Sequence, residues 1–116
     1  MIIDSHQHFW NYDPIKDAWI DSSMEVIKRD FLPKNLKPLL DENGIDGCIS
    51  VQADQSENET DFLLSCAQKN KFIKGVVGWL DLTSKNLESR LNHYVKNPFF
   101  KGLRHIVQAE KDDYLL

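Results

Sequence analysis

The sequence has 116 residues, 41% hydrophobic and 28% charged, enough for one domain and too few for two. Fourteen basic and eighteen acidic residues give a net charge of −4 with no Lys/Arg cluster, which speaks against nucleic-acid or anionic-membrane partners and leaves small molecules open. No apolar run approaches the roughly 18 residues of a membrane span, and Met1-Ile2-Ile3 meets Asp4 at once, so the expected setting is the cytoplasm.

Residues 1–6 are β-rich at their start and polar at their end, which predicts a first strand buried on both faces. Residues 9–32 have no clear period yet carry Phe9, Trp10, Tyr12, Trp19 and Phe31. A stretch of about 24 residues so aromatic reads as an ordered loop, and loops longer than about 12–15 residues are usually functional. Pro33 opens a helix with Leu36, Leu39 and Leu40 on one face and Gly44 closing it in a left-handed conformation; Pro38 predicts a late start or a kink. Residues 45–51 form the second strand. Ser56 and Glu59 then make a capping box before the apolar positions Leu63, Leu64 and Ala67 of a second helix.

Residues 72–80 are the third strand, ending at Asp81. Ser84 is placed to cap a third helix carrying Leu87, Leu91, Tyr94 and Val95, stopped by Asn97-Pro98. Residues 99–107 form a fourth strand, and residues 112–116 resemble the first turn of a fourth helix. Strands alternating with helices predict an α/β fold with a parallel sheet and right-handed crossovers, either an open doubly wound sheet or part of an eight-stranded barrel. No glycine-rich phosphate loop follows the first strand, so a dinucleotide site has no support. Cys48 and Cys66 are too few and too far apart for a disulfide framework or a cysteine zinc site and are read as core thiols.

Chemistry is expected at the carboxyl ends of the strands, where parallel α/β proteins bind ligands. His6 and His8 lie two apart on one face of the first strand, so both imidazoles point the same way. Divalent-metal ligation, substrate contact and plain hydrogen bonding to loop carbonyls all fit that pair, and a catalytic zinc site takes further ligands from elsewhere. Asp4 is placed either to orient an imidazole or to cap a turn. Gln52, Asp54, Trp79, Asp81, Arg104, His105 and Gln108 stand at the other strand ends. Arg104 suits a carboxylate or a cluster of oxygens, or a salt bridge to Asp81 or Glu110. His105 is a ligand, a proton donor or, as the leading reading, a satisfied core histidine, and His93 faces solvent on the third helix. Trp10, Tyr12 and Trp19 stack on a sugar face, close the site or form the loop's own small core.

Several stretches together carry a resemblance over essentially the whole chain. They are Ile3-Asp4-Ser5-His6-Gln7-His8-Phe9-Trp10, Asp30-Phe31-Leu32-Pro33 with Leu36, Gly44-Ile45-Asp46-Gly47 leading to Val51-Gln52-Ala53, Glu59-Thr60 before Phe62-Leu63-Leu64, Gly78-Trp79-Leu80-Asp81-Leu82, and Lys101-Gly102-Leu103-Arg104-His105-Ile106-Val107-Gln108. The chain resembles the lactonase-like branch of the amidohydrolase superfamily, TIM-barrel hydrolases that include fuconolactonase and rhamnonolactonase. The resemblance implies the first four βα units of a (β/α)8 barrel and the opening of a sugar lactone by water.

It also implies that His6 and His8 match the family's strand-one pair, as candidate ligands of a divalent metal such as zinc. Gln52, Asp81, Arg104 and His105, with the two histidines, match positions that contact substrate. A barrel of this kind needs roughly 250 residues, so residues 1–116 are expected to be the N-terminal part of one incomplete barrel domain and inactive alone. The family's water-activating aspartate is expected beyond Leu116, so no catalytic residue is assigned. The partner expected is a small sugar lactone, with self-association through unpaired strand edges. The alternatives are a non-catalytic half-barrel subunit of another protein and a homodimer with a metal-dependent hydrolase site.

Overall fold

Cys48, Leu63, Ile73 and Val76 are each 0% exposed and mark the seam where a sheet meets its helices. In a computed structural model, which describes residues 1–111, four strands surround that seam: β1 (Ile3–Gln7), β2 (Gly47–Val51), β3 (Ile73–Gly78) and β4 (Phe100–Leu103). Three helices alternate with them: α1 (Pro33–Glu42), α2 (Glu57–Lys69) and α3 (Leu87–Tyr94). The predicted fourth-helix turn at 112–116 lies outside the described residues.

All three strand pairings are parallel and the spatial order is β1-β2-β3-β4. A doubly wound sheet starts in its middle and reverses direction once. This sheet adds each new strand to the same side, which is how a barrel is wound. The α/β expectation therefore resolves in favour of consecutive barrel-type βα units. β2 and β3, inside the sheet, are buried at nearly every position, as two-sided strands should be. The expectation that β1 is buried on both faces is corrected: Ser5 and His6 are exposed, because β1 sits at the sheet margin and only its helix-side face, continuing to Phe9, is covered.

The helices follow their sequence signals with informative exceptions. α1 starts at Pro33 and continues through Pro38 to Glu42, so the predicted late start is not found. The absent Pro38 N–H leaves only the Lys34 carbonyl without its helical partner, on a face where both residues are exposed and water can serve. Leu36 and Leu40, one turn apart, face the core, whereas Leu39 is 55% exposed. Gly44 has φ +68 and lets the chain reverse, with Ile45 N–H donating to the Leu40 carbonyl at 2.9 Å. That bond draws Ile45 into the helix cap, so β2 begins later than predicted.

Ser56 Oγ accepts the Glu59 N–H at 3.1 Å and starts α2, whose Leu63, Leu64 and Ala67 are buried. Ser84 does not cap α3. Its Oγ takes the Asn86 N–H at 3.1 Å in a preceding turn, and the helix starts without a side-chain cap. β4 is four residues long rather than nine-odd: after Arg104 N–H bonds the Gly78 carbonyl, Ile106 N–H turns to Gln55 Oε1 at 2.7 Å and leaves the ladder for a short 3-10 turn at Val107–Ala109.

Residues 9–32 form an ordered loop, as predicted, but it contains an unforeseen 3-10 helix at Ser22–Ile27. Trp10 and Phe31 exchange both backbone hydrogen bonds at 2.9 Å with their rings 4.8 Å apart, closing the neck of the loop. Ile20 is buried inside it and Trp19 is 63% exposed. Both cysteines are unpaired and buried; burial pushes the Cys48 thiol up to about 11 and raises that of Cys66.

Candidate active site

At the carboxyl end of β1, His6 and His8 turn to the same side and their Nε2 atoms stand 3.1 Å apart. His8 is tied to β2 as well, since its Nδ1 lies 2.9 Å from the Val51 carbonyl. A carbonyl only accepts, so Nδ1 carries the proton, and in the neutral ring Nε2 is a lone pair aimed at His6. Burial holds the His8 imidazole below its ordinary pKa; the Val51 bond works the other way, and the nearby charges of His6 and Arg104 add to the lowering. His8 is therefore poised as a neutral donor of its Nε2 lone pair. Asp4 orients neither ring: it accepts the His6 backbone N–H at 3.0 Å and the Gln7 side-chain amide, within β1 at the point where its register with β2 shifts.

The spacing of the two imidazoles bears on metal binding. Two nitrogens at 2.0–2.1 Å from a tetrahedral zinc stand roughly 3.3 Å apart, close to the 3.1 Å found. The pair thus fits two ligand positions. Among the described residues no group of three or more His, Cys, Asp or Glu side chains converges, so these residues alone do not complete a zinc shell.

One step along the sheet edge, Gln52 is fully buried and its N–H continues the ladder to the Val77 carbonyl at 2.8 Å. Arg104, leaving β4, grips it twice: Nε–H donates to Gln52 Oε1 and Nη2–H to the Gln52 carbonyl, both at 2.7 Å. Of the alternatives for Arg104, the ion pair with Asp81 or Glu110 is not formed: Asp81 is exposed and bonded to Thr83, the half-buried Glu110 is taken by His105, and the forked guanidinium meets two oxygens of the buried Gln52 instead. Two of the five guanidinium N–H donors are thereby committed, leaving three.

His105 sits beside this cluster with a side chain 11% exposed. Trp79 Nε1–H donates to its Nδ1 at 3.0 Å, and its Nε2 lies 2.7 Å from Glu110 Oε1. Both ring nitrogens are engaged within the protein. Asp81 is exposed and accepts the Thr83 N–H at 3.0 Å and the Thr83 hydroxyl at 2.7 Å, bonds that hold its carboxyl below the usual range. His93 is exposed on α3, edge-on to Tyr94.

The strand ends thus bring together His6, His8, Gln52 and Arg104, with Trp79 and His105 adjoining, while Asp81 turns to its own loop. Sequence reasoning missed the supports below them. Glu59 reads as half of a capping box, but its carboxylate passes the Ser56 N–H by and takes those of Ala53 and Asp54 at 2.7 and 2.9 Å. Thr60 is fully buried against Trp79. The only available signal was the adjacent pair of polar residues on a helix turn that must face the sheet. A separate hollow of about 450 Å³ between α2 and α3, lined in part by Asp61, Gln68 and His93, lies away from the strand ends.

The amidohydrolase family model matches residues 3–116. The chain is 35% identical over 111 residues to an L-fucono-1,5-lactonase of Burkholderia ambifaria, covering 96% of this chain and 38% of that protein. It is 41% identical over 110 residues to an L-fucono-1,5-lactonase of Burkholderia multivorans, covering 95% and 37%. The crystal structure of an amidohydrolase from Burkholderia multivorans with bound zinc superimposes with a TM-score of 0.91 at 40% identity, over 97% of this chain and 39% of that one. The same values hold for that amidohydrolase with bound HEPES. The chain therefore spans under two fifths of the length of the relatives it matches.

Proposed function

The chain belongs to the amidohydrolase family, and from that membership we propose that it supplies the β1–β4 side of a site that hydrolyses a sugar lactone, adding water to the cyclic ester and releasing the hydroxy acid. The observation that carries this reading is the convergence of His6 and His8, locked by the Val51 carbonyl. His6 and His8 would hold a divalent cation such as zinc, with remaining ligands from outside the described residues. A cation there supplies Lewis acidity for an ester carbonyl. The zinc in the Burkholderia multivorans structure supports this assignment.

The protein's own groups divide the remaining work. Arg104, fixed by Gln52, offers its three uncommitted N–H donors to the oxygens of a polyhydroxylated ring, and a guanidinium stabilises charge that develops on such an oxygen. Gln52 orients Arg104 and contacts substrate through it. His105, both ring nitrogens engaged by Trp79 and Glu110, forms the wall beside Arg104, and Asp81, bonded within its own loop, stands at the rim. We assign the water-activating base to the part of the barrel that the relatives have beyond the matched length, so residues 1–116 form one portion of a barrel domain and the isolated chain binds without turnover. Its open strand edges favour self-association. Among the described residues no helix is long and apolar enough to cross a membrane, and two unpaired buried thiols suit a reducing compartment, which supports a cytoplasmic setting.

The test is calorimetric titration of the chain with zinc, followed by a sugar 1,5-lactone. Zinc should bind at neutral pH with the modest affinity that two protein ligands allow, and at least tenfold more weakly in His6→Ala and in His8→Ala. Unchanged zinc affinity in both variants would overturn the reading. No acid should be released from the lactone by the chain alone.

A further inference from the structure

Two adjacent residues on the first turn of α2 reach two different strand ends. Glu59, 6% exposed, accepts the backbone N–H groups of Ala53 and Asp54 through Oε2 at 2.7 and 2.9 Å. It thereby fixes the turn that leaves Gln52, the residue whose side chain and carbonyl both hold Arg104. Thr60, 0% exposed, donates its hydroxyl to the Trp79 carbonyl and accepts the Trp79 N–H, both at 2.8 Å. A single hydroxyl thus stands in for a neighbouring strand at the end of β3.

Its approach depends on Gly78, where an added Cβ would fall 2.7 Å from Thr60 Cγ2 and 2.9 Å from Oγ1. Trp79, held in this way, directs its indole N–H to His105 Nδ1. Two short relays therefore begin at one helix turn: Glu59 to the 53–54 turn to Gln52 to Arg104, and Thr60 to Trp79 to His105. Neither side chain reaches the mouth itself, and neither is needed to start the helix, which Ser56 caps.

We propose that Glu59 and Thr60 are positioning residues, Glu59 for the Gln52–Arg104 pair and Thr60 for the Trp79–His105 pair, with α2 setting the relative placement of the β2 and β4 groups that meet substrate. This rests on the hydrolase reading for the roles of Arg104 and His105, but the placement itself is read without zinc or lactone, so the two stand or fall separately.

The experiment is nuclear magnetic resonance of the full chain, following hydrogen exchange at the Trp79 indole N–H and the Arg104 Nε–H. Thr60→Val keeps the shape and removes the hydroxyl. It should speed exchange at the Trp79 indole about tenfold, the scale of one lost hydrogen bond, and leave Arg104 near its original rate. Thr60→Ser should restore the indole. Glu59→Ala should do the reverse, freeing Arg104 and sparing Trp79, with Glu59→Gln intermediate. Unchanged exchange at both groups, an equal change at both in every variant, or failure of serine to restore protection would overturn the proposal. Should Thr60→Val not fold, the unsubstituted chain decides through the scalar coupling across the Trp79 Nε1–His105 Nδ1 bond, whose presence supports the second relay and whose absence removes it.

Discussion

His8 lies under opposing pressures, and their balance gives a measurable sign. Burial disfavours its imidazolium more than the Val51 carbonyl favours it, so the folded chain binds this proton less readily than the unfolded chain, whose histidines titrate near the ordinary value of about 6.5. Above that value neither state holds the proton and His8 adds no slope. As pH falls through about 6.5 toward the lower folded value, the unfolded chain takes up a proton the native state resists, and stability declines. Urea midpoints compared between pH 7.5 and 5.5 should fall in the unsubstituted chain and fall less in His8→Ala. An identical fall in both would remove the assignment. The same lowering keeps Nε2 free for a cation at neutral pH, which links the titration to the zinc test through one nitrogen.

At the scale of the element, α2 is where local and global signals agree. Ser56 satisfies the Glu59 N–H, and Leu63, Leu64 and Ala67 then bury one stripe. Ser56→Ala should cost about 1 kcal/mol in denaturant unfolding with the helix retained, whereas Ser84→Ala, outside the α3 cap, should cost less; equal costs would show that the two serines do the same work. This contrast also shows what was legible in the sequence. Among the described residues, period and glycine placement identified the four strands, the three α-helices and Gly44, because those depend on residues close in the chain. What stayed hidden depends on distant partners. Glu59 chose the 53–54 turn over its own cap, β4 lost its second half to Gln55, and Arg104 found a buried glutamine that none of its sequence alternatives named. The pair His6 and His8 was legible from alternation alone, but its tether to Val51 was not. Nothing local in residues 22–27 announces a 3-10 helix, since a single short turn leaves no period to detect.

The whole molecule is a slab of 44 × 39 × 21 Å with a radius of gyration of 15.3 Å, above the roughly 13.4 Å expected for a compact chain of this length. One helical layer covers one face of the sheet; on the other, Lys74 and Lys101 are exposed and Ile49 and Val77 only half buried, with Met1 and Ile2 also open at the β1 margin. Both β1 and β4 are sheet margins that pair on one side only among the described residues. Because they are parallel and different, the natural contact between copies sets β4 of one against β1 of the next, a head-to-tail joint that either closes or grows into a filament. Four strands twist in one sense, and eight are what a closed barrel of side-chain-filled diameter requires. We therefore expect the isolated chain to stop at a closed pair. Sedimentation equilibrium across a hundredfold range of concentration should show a mass rising from 13.5 kDa to twice that value and no further. A chain that stays at 13.5 kDa throughout would show that its edges are blunted without a partner, and open-ended growth would show that the twist does not close the ring. In the closed pair the His6–His8 cluster of each copy lies at the same end of the barrel, so zinc added before sedimentation should shift the equilibrium toward the dimer if the second copy supplies ligands, and leave it unmoved if it does not.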